Sequence, residues 1–295
     1  MNIKATNSKR LSISIVIIIM GILMIAVLPF IVPGMIEEME DSQKIRNDEI
    51  YADFEPQEAQ LVTTMRTIGW TYPLLSVLSM LSGFIILFIV KSYYYEQKWA
   101  RALLLVCFFI PSVVGAYLVT TYYHFLGFEA GFSSGFYFSI VGFIGYFTVL
   151  IYDLKGFKQK SLYIWIYFIL GLSVAELLAN GITCHVIIDS NPAKPIYTYE
   201  VYMIYFTRVV NFIGILFITL SVYFISLGKK IGWYFAVVTS ASIGFVGYIM
   251  QFVRVDTIDF FLQGLMGSIF AVNLLLPAVR KTLIKQGDSE YEKRI

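Results

Sequence analysis

Charge is what this sequence lacks. Asp, Glu, Lys and Arg make up 14% of its 295 residues, against roughly 25% in an ordinary soluble domain. No stretch is both long and polar enough to fold separately in water, so a water-soluble domain within the chain is excluded. Histidine and cysteine are scarce too, two of each. A Gly-rich phosphate loop and a His-Glu-x-x-His helix are both missing, and with them the usual signatures of nucleotide and zinc-protease chemistry. Nothing points to nucleic acid as a partner, and no cofactor is expected.

Long apolar runs take the place of charge. Hydrophobic residues account for 58% of the chain. A helix needs about 20 mostly apolar residues to cross the hydrocarbon core of a bilayer. Eight runs of that kind lie near 11–33, 67–90, 102–122, 135–152, 162–184, 203–227, 231–252 and 258–279. Lipid cannot satisfy backbone polar groups, so the runs must be helices or strands of a closed barrel. Barrel strands alternate apolar and polar residues. Ile15-Val16-Ile17-Ile18-Ile19 does not alternate, so helices are expected. The expected fold is an all-α, polytopic transmembrane bundle of about eight spans in one integral membrane domain, residues 1–295. Tyr93, Tyr94, Tyr95, Trp99, Tyr122 and Tyr123 cluster near span ends, where aromatic rings anchor helices at the interface.

The basic residues set an expected orientation. With the N-terminus inside, the cytoplasmic segments hold 16 of the 22 Lys and Arg but only 5 of the 20 Asp and Glu. Cytoplasmic excess of Lys and Arg is the topological rule for membrane helices, so both termini are expected in the cytoplasm. The first run exceeds the usual 7–15-residue core of a signal peptide and lacks an Ala-x-Ala cleavage site. It is expected to remain as an uncleaved helix. The segment 34–66 then forms an acidic outer loop, with nine acids against Lys44 and Arg46 up to Met65. Its spacing fits no calcium loop, and a solvated helical extension is the plainer reading than cation capture.

The eight spans divide into four plus four of the same orientation, which suggests a parallel internal repeat. Lys98 to Gly115 lies on Lys230 to Gly247 without a gap, pairing Val106 with Val238 and Gly115 with Gly247. The fourth spans share Gly142-x-x-Gly145 and Gly264-x-x-Gly267, a spacing that lets helices approach closely. Gly127, Gly131 and Gly135 recur every four residues, but across an outer loop.

Four polar residues inside spans carry the functional expectation. Glu176 and Arg208 lie at matched depths in neighbouring antiparallel helices, within a few ångström at about 1.5 Å per residue. Charges are costly in lipid and face the bundle interior, so the two are expected to form an ion pair or a solute-binding site. Asn180 is one turn from Glu176, and Asn211 is three residues from Arg208. Asn273, Gln251 and Gln263 extend the set. His124 and His185 end two spans on the same side and are weak candidates for haem or metal ligation; interfacial hydrogen bonding is the plainer reading. Cys107 and Cys184 sit at opposite depths, which argues against a disulfide.

The leading expectation is a transporter-like or permease-like protein that moves a small solute or ion through the bundle, and is not an enzyme. The alternative is a non-catalytic structural subunit of a membrane complex; a third reading is a haem or metal oxidoreductase subunit. The partners these readings imply are the lipid bilayer and other membrane subunits or a second copy of the chain.

Overall fold

The computed structural model describes residues 3–50, 55–127, 129, 131–152, 154, 156–190, 198–255 and 258–283. Among these residues there is no β-strand. The helices are α1 (Ile3–Ala26), α2 (Leu28–Ile50), α3 (Glu55–Tyr94), α4 (Lys98–Leu126), α5 (Gly135–Tyr152), α6 (Phe157–Asp189), α7 (Tyr199–Ser226), α8 (Lys230–Val253) and α9 (Asp259–Leu275), followed by α10 (Pro277–Leu283). Seven described helices are long and apolar enough to span a membrane, and α9 with α10 makes an eighth if that bent pair is one span. The chain is an all-α, multi-pass membrane protein.

Two of the expected spans are broken, both at proline. The run 11–33 divides at Val27, between α1 and α2. Pro29 lies in the first turn of α2, where a missing N–H costs nothing. The run 258–279 divides at Leu276, and Pro277 opens α10 at 68° to α9. The acidic segment 34–66 is largely helical: α2 runs to Ile50 and α3 begins at Glu55. With 40 residues, α3 is about 60 Å long, twice what the hydrocarbon core requires. The last twelve residues, including the basic tail, lie outside the described residues.

The surface explains why the composition is so apolar. Phe88 is 83% exposed and Phe252 is 85% exposed, while Ser79, Ser240, Asn211 and Gln263 are fully buried. Lipid tails are as apolar as leucine, so apolar burial does not sort the helices. Close packing and polar contacts do.

The chain divides into two compact units, Met1–Lys160 and Ser161–Ile295, each with four candidate spans. In the first unit Gly21 of α1 meets Gly83 of α3 backbone to backbone. Arg10 of α1 pairs with Glu96 at 2.8 Å, with its guanidinium over the rings of Tyr93 and Tyr152. Tyr122 of α4 donates to Glu38 of α2 at 2.8 Å. The α4–α5 contact is built on small residues. A Cβ on Gly115 would strike the backbone of Ser139, and one on Gly142 would strike the backbone of Ser112.

The second unit repeats that contact. A Cβ on Gly247 of α8 would strike the backbone of Gly264 on α9, and one on Gly267 would strike Gly244. The pattern is small-x-x-small against small-x-x-small in both units. The expected register of the third spans, Gly115 on Gly247, agrees with this geometry. The expected register of the fourth spans does not. By packing, Ser139 corresponds to Gly264 and Gly142 to Gly267, a slip of three residues, about one turn, from the Gly-x-x-Gly alignment. Gly145 is instead covered by the ring of Phe108.

The glycines 127, 131 and 135 form no helical stripe. Gly127 (φ 78°) and Gly131 (φ 84°) use left-handed backbone that glycine adopts cheaply. Gly135 alone is helical, and it packs on Leu118 and Val119.

Candidate polar site in the second helical unit

Most hydroxyls in these helices satisfy themselves. Ser173 bonds to the carbonyl of Ile169 at 2.9 Å and Thr183 to that of Ala179 at 3.0 Å, the back-bonding available to short polar side chains in a helix. A few residues of the second unit do not follow this rule, and they gather on facing helices.

Successive levels of α6 and α7 meet in order. His185 faces Arg208, Gly181 faces Asn211 and Phe212, and Leu177 faces Gly214. At the first level, Arg208 Nη1 donates to His185 Nδ1 at 3.3 Å. That contact leaves the proton of a neutral imidazole on Nε2, which points at Asp189 Oδ2, 3.6 Å away. The Arg208 guanidinium also lies over the ring of Tyr205, 4.9 Å from its centroid. Beside this polar chain, Cys184, Met203, Ile204, Met250 and Phe260 form an apolar cluster.

One turn further along α7, Asn211 Oδ1 accepts from Gln263 Nε2 of α9 at 2.9 Å. Both residues are fully buried, and so is Thr207, one turn before Asn211. Asn211 Nδ2, Gln263 Oε1 and Thr207 Oγ1 have no hydrogen-bond partner among the described residues. Ser240 Oγ of α8 is likewise buried and unpartnered. An unmet polar atom in an apolar interior costs about 1–3 kcal/mol, so these residues invite a ligand or water.

Glu176 and Asn180 lie on α6. Asn180 Nδ2 donates to Glu176 Oε1 at 3.0 Å, the i, i+4 relation that their spacing anticipates. Glu176 and Arg208 form no ion pair with each other among the described contacts. Glu176 sits beside the Leu177–Gly214 level, about two turns from the His185–Arg208 level, since α6 runs on to Asp189 and α7 begins at Tyr199, past the expected span ends at 184 and 203.

The remaining expected polar residues have structural roles. Gln251 accepts from the N–H of Phe261 at 2.8 Å and donates to the carbonyl of Arg254 at 2.9 Å, clamping the α8–α9 connection. Asn273 accepts from Trp165 Nε1 at 3.3 Å and donates to Ile269. His124 falls in the last turn of α4, and its side chain lies outside the described residues. Both ring nitrogens of His185 are engaged, so ligation of a haem or metal there requires breaking contacts already made. Cys107 and Cys184 are free thiols, each buried.

Sequence reasoning missed Thr207 and Ser240, and it passed over one motif. Gly131-Phe132-Ser133-Ser134-Gly135 spells Gly-x-Ser-x-Gly. A nucleophile elbow needs a strand-to-helix turn with the serine exposed. Ser133 is fully buried between two helices, and its Oγ accepts from the N–H of Gly135 at 3.2 Å, so it caps the entry to α5. The signal for Thr207 was present: it stands four residues before Asn211, on the same helix face.

Comparison with protein-family models, curated proteins and solved structures finds no match.

Proposed function

We propose that this multi-pass membrane protein is permease-like and moves a small polar solute or ion through its second helical unit, with both termini in the cytoplasm. One observation carries the reading. The Asn211–Gln263 amide pair is fully buried in membrane-spanning helices and leaves a donor and an acceptor unmet, with the Thr207 hydroxyl one turn away. A pair kept only for helix association would be expected to close both of its hydrogen bonds. Polar groups held open inside a span mark solute and ion paths. Glu176 with Asn180, and Arg208 with His185 and Asp189, supply charged groups on the same helices for entry and exit. The orientation rests on the bias of Lys and Arg among the connecting segments.

The test is permeation. The full-length protein is reconstituted in vesicles and challenged with osmotic steps of urea, glycerol, NaCl and KCl, read by light scattering. At least one solute should enter faster than into protein-free vesicles. Asn211→Leu combined with Gln263→Leu should slow it at least tenfold while leaving helicity unchanged. Identical rates in loaded and empty vesicles across the panel would reject the reading in favour of a structural subunit.

A further inference from the structure

The first unit holds a separate cleft that the reading above does not use. It lies between α2 and α3, has a volume of about 640 Å³ and is partly open. Its wall is apolar, formed by Pro29, Val32, Pro33, Pro73 and Val77. Its rim carries the carboxylates of Glu37, Glu40 and Asp41, all on exposed positions of α2.

Two further features face a ligand of the same polarity. Ser76 lines the cleft, is 4% exposed, and its Oγ has no hydrogen-bond partner among the described residues. Its neighbours at the next turns, Ser79 and Ser82, each bond back to their own helix; Ser76 does not. The prolines add the second feature. Pro33 and Pro73 stand inside helices, and a proline has no N–H to offer the carbonyl four residues earlier. The carbonyl of Pro29, in the cleft wall, therefore loses its helical donor.

Carboxylates, a freed carbonyl and a hydroxyl oxygen all accept hydrogen bonds, and the rest of the cleft is apolar. We propose that this cleft binds an amphiphilic primary amine, its ammonium between Glu37, Glu40 and Ser76 and its apolar chain along the proline wall. The acidic rim is long-range attraction for a cation. Burial of the chain against Val32 and Val77 supplies the affinity that a surface carboxylate alone does not. A lipid with an amino headgroup and a free alkylamine share this chemistry.

The probe is radiolabelled octylammonium, bound to the full-length protein in maltoside micelles. Binding should saturate and should resist competition by tenfold excesses of octanol and octanoate. Glu37→Gln combined with Glu40→Gln should weaken it at least tenfold with unchanged helicity, and Ser76→Ala should weaken it several-fold. Glu37→Gln alone, at an exposed position, serves if the double variant does not fold. Native mass spectrometry then separates the two sources. An amino-headgroup lipid carried by the wild type and lost from the variant assigns the cleft to lipid. Octylammonium binding without such a lipid assigns it to a free amine. Equal competition by octanol, or unchanged affinity in the carboxylate variants, overturns the proposal.

Discussion

Arg208 gives its hydrogen bond to His185, 3.3 Å away on α6, while Glu176 takes Asn180 on its own helix. Two ionisable residues of opposite sign on neighbouring helices thus lie about two turns apart and satisfy themselves separately. The consequence is that energetic coupling should follow the observed contacts and not the charges.

A double-mutant cycle checks this directly. Arg208→Gln and His185→Gln, read by thermal stability in detergent, should couple by about 1.5–3 kcal/mol, the scale of a hydrogen bond to a charged group. Arg208→Gln and Glu176→Gln should be additive to within about 0.5 kcal/mol. Strong coupling in the second cycle, with none in the first, would restore the ion pair.

The glycine contacts predict a contrast between positions. Gly115→Ala and Gly247→Ala each drive a methyl into backbone of the neighbouring helix, and overpacking of this kind costs about 1–3 kcal/mol. Gly34, inside α2, would place its methyl in open space. Gly34→Ala should stabilise by about 0.5–1 kcal/mol through helix propensity alone. Thermal melts of the three variants decide it, and equal effects at all three would refute the packing account.

Glu96 joins α3 to α4 with φ at 65°, a left-handed conformation that costs a side-chain-bearing residue about 1–2 kcal/mol. Its carboxylate pairs with Arg10 but is 69% exposed, so the pair is worth about 1 kcal/mol at most. Glu96→Ala keeps the strain and loses the pair; Glu96→Gly loses both. The glycine variant should therefore melt higher than the alanine variant. The reverse order would place the energy of this turn in something other than its backbone.

Topology is open to chemical labelling. Single cysteines at Ser42 and Ser289, in a background lacking Cys107 and Cys184, are exposed to an impermeant thiol reagent. Ser42→Cys should react in intact cells, and Ser289→Cys only after permeabilisation. The opposite pattern would invert the proposed orientation.

Eight apolar runs, the exclusion of a barrel and the acidic character of the segment after the first span were all legible in the residues. These follow from one-dimensional physics: a bilayer demands a length and a polarity, and both can be counted along the chain. Proline positions were legible as well, but not their effect at Val27 and Leu276. Whether a proline kinks a helix or ends it depends on what the neighbouring helices offer the freed backbone.

Azimuth is what the sequence by itself could not determine. Glu176 and Arg208 were expected at one depth, yet Leu177 meets Gly214 while His185 meets Arg208, so the two lie about two turns apart; a fixed rise per residue gives length along each helix, while level and facing depend on how two helices are set against each other. The same limit explains the glycines. Two Gly-x-x-Gly motifs aligned by spelling, yet the packing matched Ser139 with Gly264 one turn away, since a serine beside a glycine leaves nearly as little bulk as a second glycine. The sequence alone therefore determined class, span count and polarity. Tertiary structure decided which small residues touch, which polar atoms stay unmet around Asn211 and Gln263, and where the cleft beside Ser76 opens, because each of these is a property of two helices at once.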